Sequence, residues 1–311
     1  MRSRLPALVW LAVVAAVLAA LPFLLSDYNV FLAAQVGIYF CAVLGLNVLT
    51  GYSGQISIGH GAFMAVGGYT TAIMSRNHHT SLPLTIVMAF AICFVAGLLV
   101  GLPALRLSGV YLALATFALA VSIPQLPLQW SNFLGGSGGV QSSATVSNLW
   151  LYGAAWTCSA VLFLLAWLIL RGRVGRAFRA VRDSEIAATA SGIELPLYKT
   201  LAFGISAAFA GVAGALYVMA LNGFAQPQEF GVILSLQLLV GAAVAGLGSL
   251  WGTLAGAAFI GLLPQVSSSV PVIGSDHGRD VVFGLLVILV MLLLPQGFAG
   301  LLARVRALGR A

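Results

Sequence analysis

The feature that most constrains this chain is a succession of apolar runs long enough to cross a lipid bilayer. A transmembrane helix needs about 20 predominantly apolar residues. Unpaired backbone groups are costly in lipid, so each run is expected to be helical. The sequence therefore predicts an all-α, polytopic membrane helical bundle of about ten transmembrane helices, at residues 5–25, 30–49, 61–75, 82–101, 109–128, 149–170, 200–221, 232–247, 250–264 and 281–295.

The first run, residues 5–25, follows Arg2 and Arg4 and also resembles a secretory signal peptide. It is longer than the apolar core of a typical signal peptide, and a second apolar run follows it directly. We therefore expect it to be retained as a transmembrane helix. Residues 1–311 are then expected to form a single transmembrane domain.

The composition excludes several other classes of protein. Only 7% of the residues are charged and 61% are hydrophobic, whereas a soluble domain needs far more charge on its surface. The net charge of +7 could indicate nucleic-acid binding, but aromatic residues are not interleaved with the basic ones. Three cysteines lie inside apolar runs without metal-ligand spacing. We expect no nucleic-acid partner, no metal and no cofactor.

Suppose that the N-terminus is cytoplasmic and that successive predicted spans cross the membrane in opposite directions. The basic residues then lie mainly on the cytoplasmic side. Twelve of the 14 Lys and Arg residues then fall inside, and Arg76 and Arg279 fall outside. Cytoplasmic loops of membrane proteins carry an excess of Lys and Arg. The segregation predicts an even number of spans, with both termini and the polar loop 171–199 in the cytoplasm.

The loop 171–199 is the longest polar interruption in the chain, and its sequence indicates a short helix. Asp183 or Ser184 can cap the helix, Glu185 places negative charge at its positive end, and Gly192 can end it in a left-handed turn. This pattern predicts a helix that docks on a partner, although an ordinary amphipathic loop is the alternative. Its expected apolar face is made of compact side chains: Ile186, Ala187, Ala188 and Ala190.

A second irregular segment, the glycine-rich segment, has the sequence GYSGQISIGHGAF and covers residues 51–63. Such backbone is tolerated at membrane depth only where it is buried in protein or lines a cavity. We therefore expect Gln55, Ser57 and His60 to face the interior, near a translocation route or a subunit seam. The alternative is that these side chains only satisfy structural hydrogen bonds.

The sequence also bears on energy supply and on catalysis. No Asp, Glu, Lys or Arg lies well inside a predicted span, which disfavours a secondary transporter driven by an ion gradient. No phosphate-binding GxxxxGK[ST] motif is present, so ATP would have to bind another chain.

A protease is an alternative, because GYSG (51–54) fits the G-x-S-G pattern of rhomboid proteases. However, seven helical residues would separate Ser53 from His60 by about 10 Å. An enzyme is therefore not expected.

Four segments, in order and with sensible spacing, resemble the LivM-type permease of branched-chain amino-acid ABC importers. The resemblance extends over about residues 30 to 300, and its motifs are specific in combination. The segments are NVLTGYSGQISIGHGAFMAVGGYTTAIM (47–74), GLPALRLSGVYLALATFALA (101–120), GRAFRAVRDSEIAATASGIELPLYKTLAFGISAAFAGVAGALYV (175–218) and LLVGAAVAGLGSLWGTLAGAAFIGLLP (238–264).

This resemblance implies a multi-pass subunit of the bacterial inner membrane. Its implied partners are a related LivH-type permease, two ABC ATPase subunits, a periplasmic substrate-binding protein and membrane lipid. The implied cargo is a branched-chain or similar small amino acid, with urea, short amides or aromatic acids as alternatives.

Residues 185–192 resemble the EAA loop through which importer permeases meet their ATPases. Alignment on Gly192 matches Ala187 and Ala188 to the alanines of that loop but places Ile186 where its glutamate belongs. Glu185 is therefore displaced by one position. The resemblance implies ATPase docking by Asp183, Ser184, Glu185, Ala187, Ala188 and Gly192.

Overall fold

The computed structural model describes residues 21–22, 24–78, 80–107 and 109–268, together with single positions between 284 and 300. Most of the predicted runs 5–25 and 281–295 lies outside these residues. The helical class is confirmed, and six described helices are long and apolar enough to cross a membrane. The total of ten transmembrane helices stays a prediction. The six are Asp27–Tyr52, Leu82–Ala104, Val110–Gln129, Asn148–Arg171, Leu195–Ala220 and Pro227–Ala245.

The described helices follow one another with short connections. They are α1 (Asp27–Leu46), extended by a π-helix at Asn47–Tyr52, then α2 (His60–His78), α3 (Leu82–Ala104), α4 (Val110–Ser122), α5 (Leu126–Gln129), α6 (Ser131–Leu134), α7 (Asn148–Arg171), α8 (Arg173–Asp183), α9 (Glu185–Ala190), α10 (Leu195–Ala220), α11 (Val232–Ala245) and α12 (Gly252–Ser268). Three 3₁₀ turns lie at Ile123–Gln125, Gly136–Gly138 and Pro227–Phe230.

Each of the eight predicted runs from 30–49 to 250–264 corresponds to a described helix. Two of them differ from the six long spans: α2 contains more polar residues, and the apolar part of α12, Gly252–Leu262, is shorter. The fifth run is broken after Ser122, because Pro124 and Pro127 interrupt the regular backbone hydrogen bonding of a helix. A small departure from the all-α class is an antiparallel pair of two-residue strands, β1 (Val140–Gln141) and β2 (Phe224–Ala225).

The helix α10 lies at the centre of the bundle and packs against α3, α2 and α1. Nearly all of its residues from Ala202 to Ala220 are buried, whereas α3, α4 and α7 expose large apolar side chains. Close approach depends on glycine, because a Cβ atom at Gly214 would lie 1.9 Å from the Met64 carbonyl oxygen. Small residues that bring helix backbones together are typical of membrane bundles.

The connections that the charge analysis assigns to one side of the membrane lie together at one end of the bundle. At one end, the Arg182 side chain contacts the Gly51 backbone. At the opposite end, the Ser142 hydroxyl contacts the Ser75 hydroxyl, and β1 pairs with β2. The described helices therefore alternate in direction, as a chain that crosses a bilayer repeatedly must.

Candidate functional site

The helix α1 ends in a π-helix, Asn47–Tyr52, and the chain then runs without regular structure to the start of α2 at His60. Gly54 takes a left-handed conformation, with φ of 73°, which favours glycine because it lacks a Cβ atom. The Thr50 hydroxyl donates to the Gln55 carbonyl at 3.1 Å. Side chains thus replace part of the missing helical hydrogen bonding, and a π-helix at such a break is often functional.

Two further helices hold the glycine-rich segment in place. The Ile58 amide donates to the Thr116 hydroxyl of α4 at 3.0 Å, and the Gly61 amide donates to the Ser235 hydroxyl of α11 at 2.9 Å. Both hydroxyls are buried, so these hydrogen bonds fix the segment inside the bundle rather than at its surface.

All three sequence-predicted pathway residues are buried, as the analysis of the glycine-rich segment expected. Gln55, Ser57 and His60 are 6%, 1% and 1% exposed. Gln55 Nε2 donates to the Ser53 hydroxyl at 2.6 Å and to the Lys199 carbonyl at 3.4 Å, whereas the Ser57 hydroxyl accepts from the nearby Gly59 amide. Among the hydrogen bonds of the described residues, none joins the three side chains to one another.

His60 lies against α10, where its Nε2 is 2.7 Å from the Ser206 hydroxyl. That hydroxyl donates its single proton to the Gly45 carbonyl at 2.7 Å, so His60 Nε2 must be the donor in the first contact. The Nδ1 atom is then an acceptor, and within the described part of the chain it has no partner. The histidine therefore offers one free acceptor inside the bundle and makes no contact with Ser53 that would suit a protease.

A third polar junction joins α1 to the connection between α11 and α12. The Asn47 amide nitrogen donates to the Ser249 carbonyl at 2.8 Å and to the Thr253 hydroxyl at 3.1 Å, and its oxygen accepts from the Gly248 amide at 2.8 Å. Asn47 is fully buried, so its amide is satisfied entirely by these groups. This junction joins the π-helix at the end of α1 directly to the connection between α11 and α12.

The docking helix, α9, forms with the ends that its sequence predicts. The Ser184 hydroxyl accepts from the Ala187 amide at 3.2 Å and is the N-cap, while Asp183 pairs with Arg182 instead. Gly192 is left-handed with φ of 79°, and the Ile193 amide donates to the Ala188 carbonyl at 3.0 Å. Together with the hydrogen bond from the Gly192 amide, this is a Schellman motif.

The orientation of the docking helix corrects one sequence-based expectation. Ala188 is only 2% exposed, whereas Ile186 is 85% exposed and Ala187 is also exposed. Successive residues of a helix point about 100° apart, so neighbouring alanines cannot share one narrow face. Because α9 packs on α8 and α10, Ala188 faces its own chain, and the exposed apolar residues of the predicted face are Ile186, Ala187 and Ala190.

Glu185 also has a different contact from the one expected at a helix terminus. Its carboxylate lies 2.7 Å from Lys199 Nζ, in the first turn of α10. The Lys199 side chain is 8% exposed and the Glu185 side chain is 47% exposed. Glu185 therefore neutralises a buried cation, besides placing negative charge near the start of α9.

Sequence reasoning missed several residues that hold this region together. The signal that could have identified them is a polar side chain within a predominantly apolar helical run, as at Asn47, Thr116, Ser206 and Ser235. Lys199 and Arg182 were counted only as positive charges at the membrane surface.

Comparison with known proteins identifies the family. The family model for the permease component of branched-chain amino acid transport systems matches residues 28–292. The high-affinity branched-chain amino acid transport system permease protein LivM of Escherichia coli K12 is 32% identical, over 89% of this chain and 71% of that protein. The LivM protein of Salmonella typhimurium is 31% identical, over the same shares of the two chains.

LivH of Salmonella typhimurium, another permease of the same transport system, is 26% identical over 84% of this chain and 91% of its own length. No solved structure gives a significant match. The matched region contains both the glycine-rich segment and the docking helix. The chain is therefore a multi-pass membrane protein that belongs to the family of permease components of branched-chain amino acid transport systems.

Proposed function

We propose that this chain is a permease subunit of an ATP-driven importer that moves branched-chain amino acids inward by alternating access. In this proposal the whole chain is one transmembrane domain of about ten helices in a bacterial inner membrane, with both termini in the cytoplasm. ATP binding on a partner pulls the docking helices together and tilts the spans. The observation that carries the proposal is the exposed apolar tip of α9, at the basic end of the bundle.

The geometry of the docking helix supports contact with an ATPase. Ile186 is 85% exposed although the loop around it is polar, and Ala187 beside it is small enough to allow close approach. Ser184 and Gly192 fix the ends of the helix, so its surface is presented in one orientation. Glu185 and Ala188 then act inside the chain, by holding the helix against α8 and α10, whereas Asp183 pairs with Arg182 just before the helix begins.

The burial of the glycine-rich segment supports its place beside the translocation route. Gln55, Ser57 and His60 lie where α1 breaks, and His60 Nδ1 is a buried acceptor that has no donor among the described groups. An irregular connection allows the two helices that it joins to change their relative angle without disrupting long hydrogen-bonded spans. We assign the segment to the part of the subunit that opens and closes during transport.

Four kinds of partner complete the proposed machine: a LivH-type permease, two ATPase subunits, a periplasmic binding protein and the surrounding lipid. The names of the relatives specify branched-chain amino acids, and we propose that this chain transports the same cargo. Urea, short amides and aromatic acids are the alternatives, because the binding protein selects most of the cargo in such systems.

The docking proposal predicts that a charge on the outward surface of α9 releases the ATPase. Ile186→Asp places a carboxylate where an apolar side chain would be buried by the partner, and an unpaired buried charge costs several kcal/mol. The variant is expected to reach the membrane in normal amounts but to lose copurified ATPase. Leu197→Asp is the matched control, since Leu197 is also apolar and exposed but lies on α10.

The proposal would be contradicted by an intact complex with normal ATP hydrolysis from the Ile186→Asp variant. Equal loss of ATPase from both variants would also count against the proposal, since a charge anywhere on the loop would then be enough to release the ATPase. Uptake of labelled leucine, tested in competition with urea, short amides and aromatic acids, would distinguish the cargo alternatives.

A further inference from the structure

Arg182 joins the loop 171–199, which contains the docking helix and is called the docking loop below, to the glycine-rich segment by a direct hydrogen bond. It lies in the last turn of α8, three residues before the docking helix, and its Nη1 donates to the Gly51 carbonyl at 3.0 Å. Its other contacts are to Asp183, whose Oδ1 lies 3.0 Å from both Nε and Nη2. One guanidinium thus contacts both the last residue of α8 and the end of α1, and the chain enters the docking helix two residues after Asp183.

Glycines make room for this arginine at both irregular connections. A Cβ atom at Gly54 would lie 2.9 Å from Arg182 Cγ and 3.1 Å from Arg182 Cα. A Cβ atom at Gly248 would lie 3.4 Å from Arg182 Nη1. The arginine stem therefore fits against the glycine-rich segment because the facing residues have no side chains.

The acceptor of this hydrogen bond becomes available where α1 breaks. The π-helix ends at Tyr52, and the last carbonyls of any helix lack donors from the next turn. A charged donor makes a stronger hydrogen bond to such a carbonyl than a neutral donor does. The hydrogen bond from Arg182 therefore holds the docking loop to the end of α1 more strongly than a neutral donor would.

A second connection runs in parallel on the other side of Ser184. Glu185 pairs with the Lys199 ammonium at 2.7 Å, and the Lys199 carbonyl accepts from Gln55 Nε2 at 3.4 Å. The two sides of the docking helix are thus joined to the glycine-rich segment at two points: Arg182, before it, contacts residue 51, and Lys199, after it, contacts residue 55. Two attachment points transmit a rotation as well as a translation, which a single contact cannot do.

We infer that Arg182 is a positioning residue that transmits movement of the docking helix to the glycine-rich segment. The inference rests on the proposed docking of an ATPase at α9. When a partner displaces α9, the arginine carries the Gly51 carbonyl with it, and the nonhelical residues after Tyr52 absorb the change. Arg182 itself does not contact the ATPase or the cargo in this scheme.

The test measures this transmission without reference to cargo. Ile56 lies in the glycine-rich segment and is 43% exposed, so a cysteine placed there by Ile56→Cys can react with a maleimide. The variant is co-expressed with its partner permease and ATPases, and labelling is measured with and without ATP and vanadate. We expect nucleotide to change the labelling rate while Arg182 is present. The same preparations are assayed for copurified ATPase and melting temperature.

Three further changes are made in that background. Arg182→Met keeps the stem against the glycines but removes the donor, and it is expected to reduce the nucleotide-dependent change about tenfold, as loss of one charge-assisted hydrogen bond predicts. Arg182→Lys keeps a charged donor and should recover most of the change. Arg176→Met is the control, because Arg176 is an exposed arginine of the same helix.

The outcomes separate the inference from the docking proposal. An unaltered nucleotide response in Arg182→Met with a full complement of ATPase would overturn the inference alone. So would loss of ATPase, or a lowered melting temperature with the response preserved, because Arg182 would then serve docking or stability. Absence of ATPase from the preparation that retains Arg182 would contradict the proposed function, and with it the inference.

Discussion

The burial of the ion pair between Glu185 and Lys199 determines how much this pair contributes to the free energy of unfolding. Removal of the carboxylate by Glu185→Gln leaves the lysine ammonium with 8% exposure and no counter-charge at 2.7 Å. Removal of one partner from a fully buried pair costs about 3–5 kcal/mol. Exposed pairs contribute only about 0–1 kcal/mol.

The pair lies between these limits, because the Glu185 side chain is 47% exposed and water screens it. We therefore expect Glu185→Gln to lower the free energy of unfolding by about 1–3 kcal/mol. An acidic residue that only supported a helix terminus would contribute about 0.3–1 kcal/mol. An ion-pair role and a helix-terminus role for Glu185 thus predict different losses in the free energy of unfolding.

A double-mutant cycle isolates the interaction. Lys199→Met removes the charge but keeps the apolar stem, so Glu185→Gln combined with Lys199→Met should recover most of the lost stability. The Lys199 carbonyl, which accepts from Gln55, is retained in every variant. Unfolding is followed in lipid nanodiscs by tryptophan fluorescence. Glu194→Gln is the control, since Glu194 is an exposed residue that immediately precedes α10.

Two results would refute this reasoning. If the effects of Glu185→Gln and Lys199→Met were additive, the two side chains would have no coupling energy. If Glu185→Gln and Glu194→Gln lowered stability equally, the carboxylate would act only through the helix terminus. A coupling energy that persists at high salt would further locate the pair in the poorly screened interior of the loop.

Three other changes test the fold and its orientation. Gly214→Ala should lower stability by about 1–3 kcal/mol, because the new Cβ would lie 1.9 Å from the Met64 carbonyl; Gly153→Ala, in open space on α7, should be neutral or slightly stabilising in the same unfolding assay. Asn47→Leu leaves the partly buried Gly248 amide without its acceptor and should cost about 1–3 kcal/mol, measured by thermal unfolding. A cysteine introduced by Ser184→Cys should resist an impermeant maleimide in intact cells, and labelling there would contradict the cytoplasmic loop.

Features set by neighbouring residues could be predicted from the sequence. The apolar runs predicted helices because lipid leaves the backbone no other partner, and the eight that fall on the described chain correspond to helices. Ser184 and Gly192 were identified as ends of α9 because capping depends on residues within one turn. The interruption of α4 likewise follows from Pro124 and Pro127, whose effect is local.

Contacts between distant parts of the chain could not be predicted in the same way. Arg182 and Gly51 are 131 positions apart, and Asn47 and Gly248 are 201 apart. No local pattern distinguishes an arginine that binds a carbonyl from one that faces lipid headgroups. The inward position of Ala188 was missed for a related reason, since composition describes the apolar residues of a short helix but not the direction in which each one points.

The distribution of polar contacts indicates where this bundle can deform. Along their length, the central helices are held by contacts so close that a single Cβ atom at Gly214 or Gly97 would collide, and such packing resists sliding. The connection 53–59 and the turn at Gly246–Gly248 lie outside the regular helices, and Asn47 joins this turn to the π-helix that precedes the connection. A displacement applied at α9 would therefore be absorbed by these two connections, while the helices beyond them move as rigid rods.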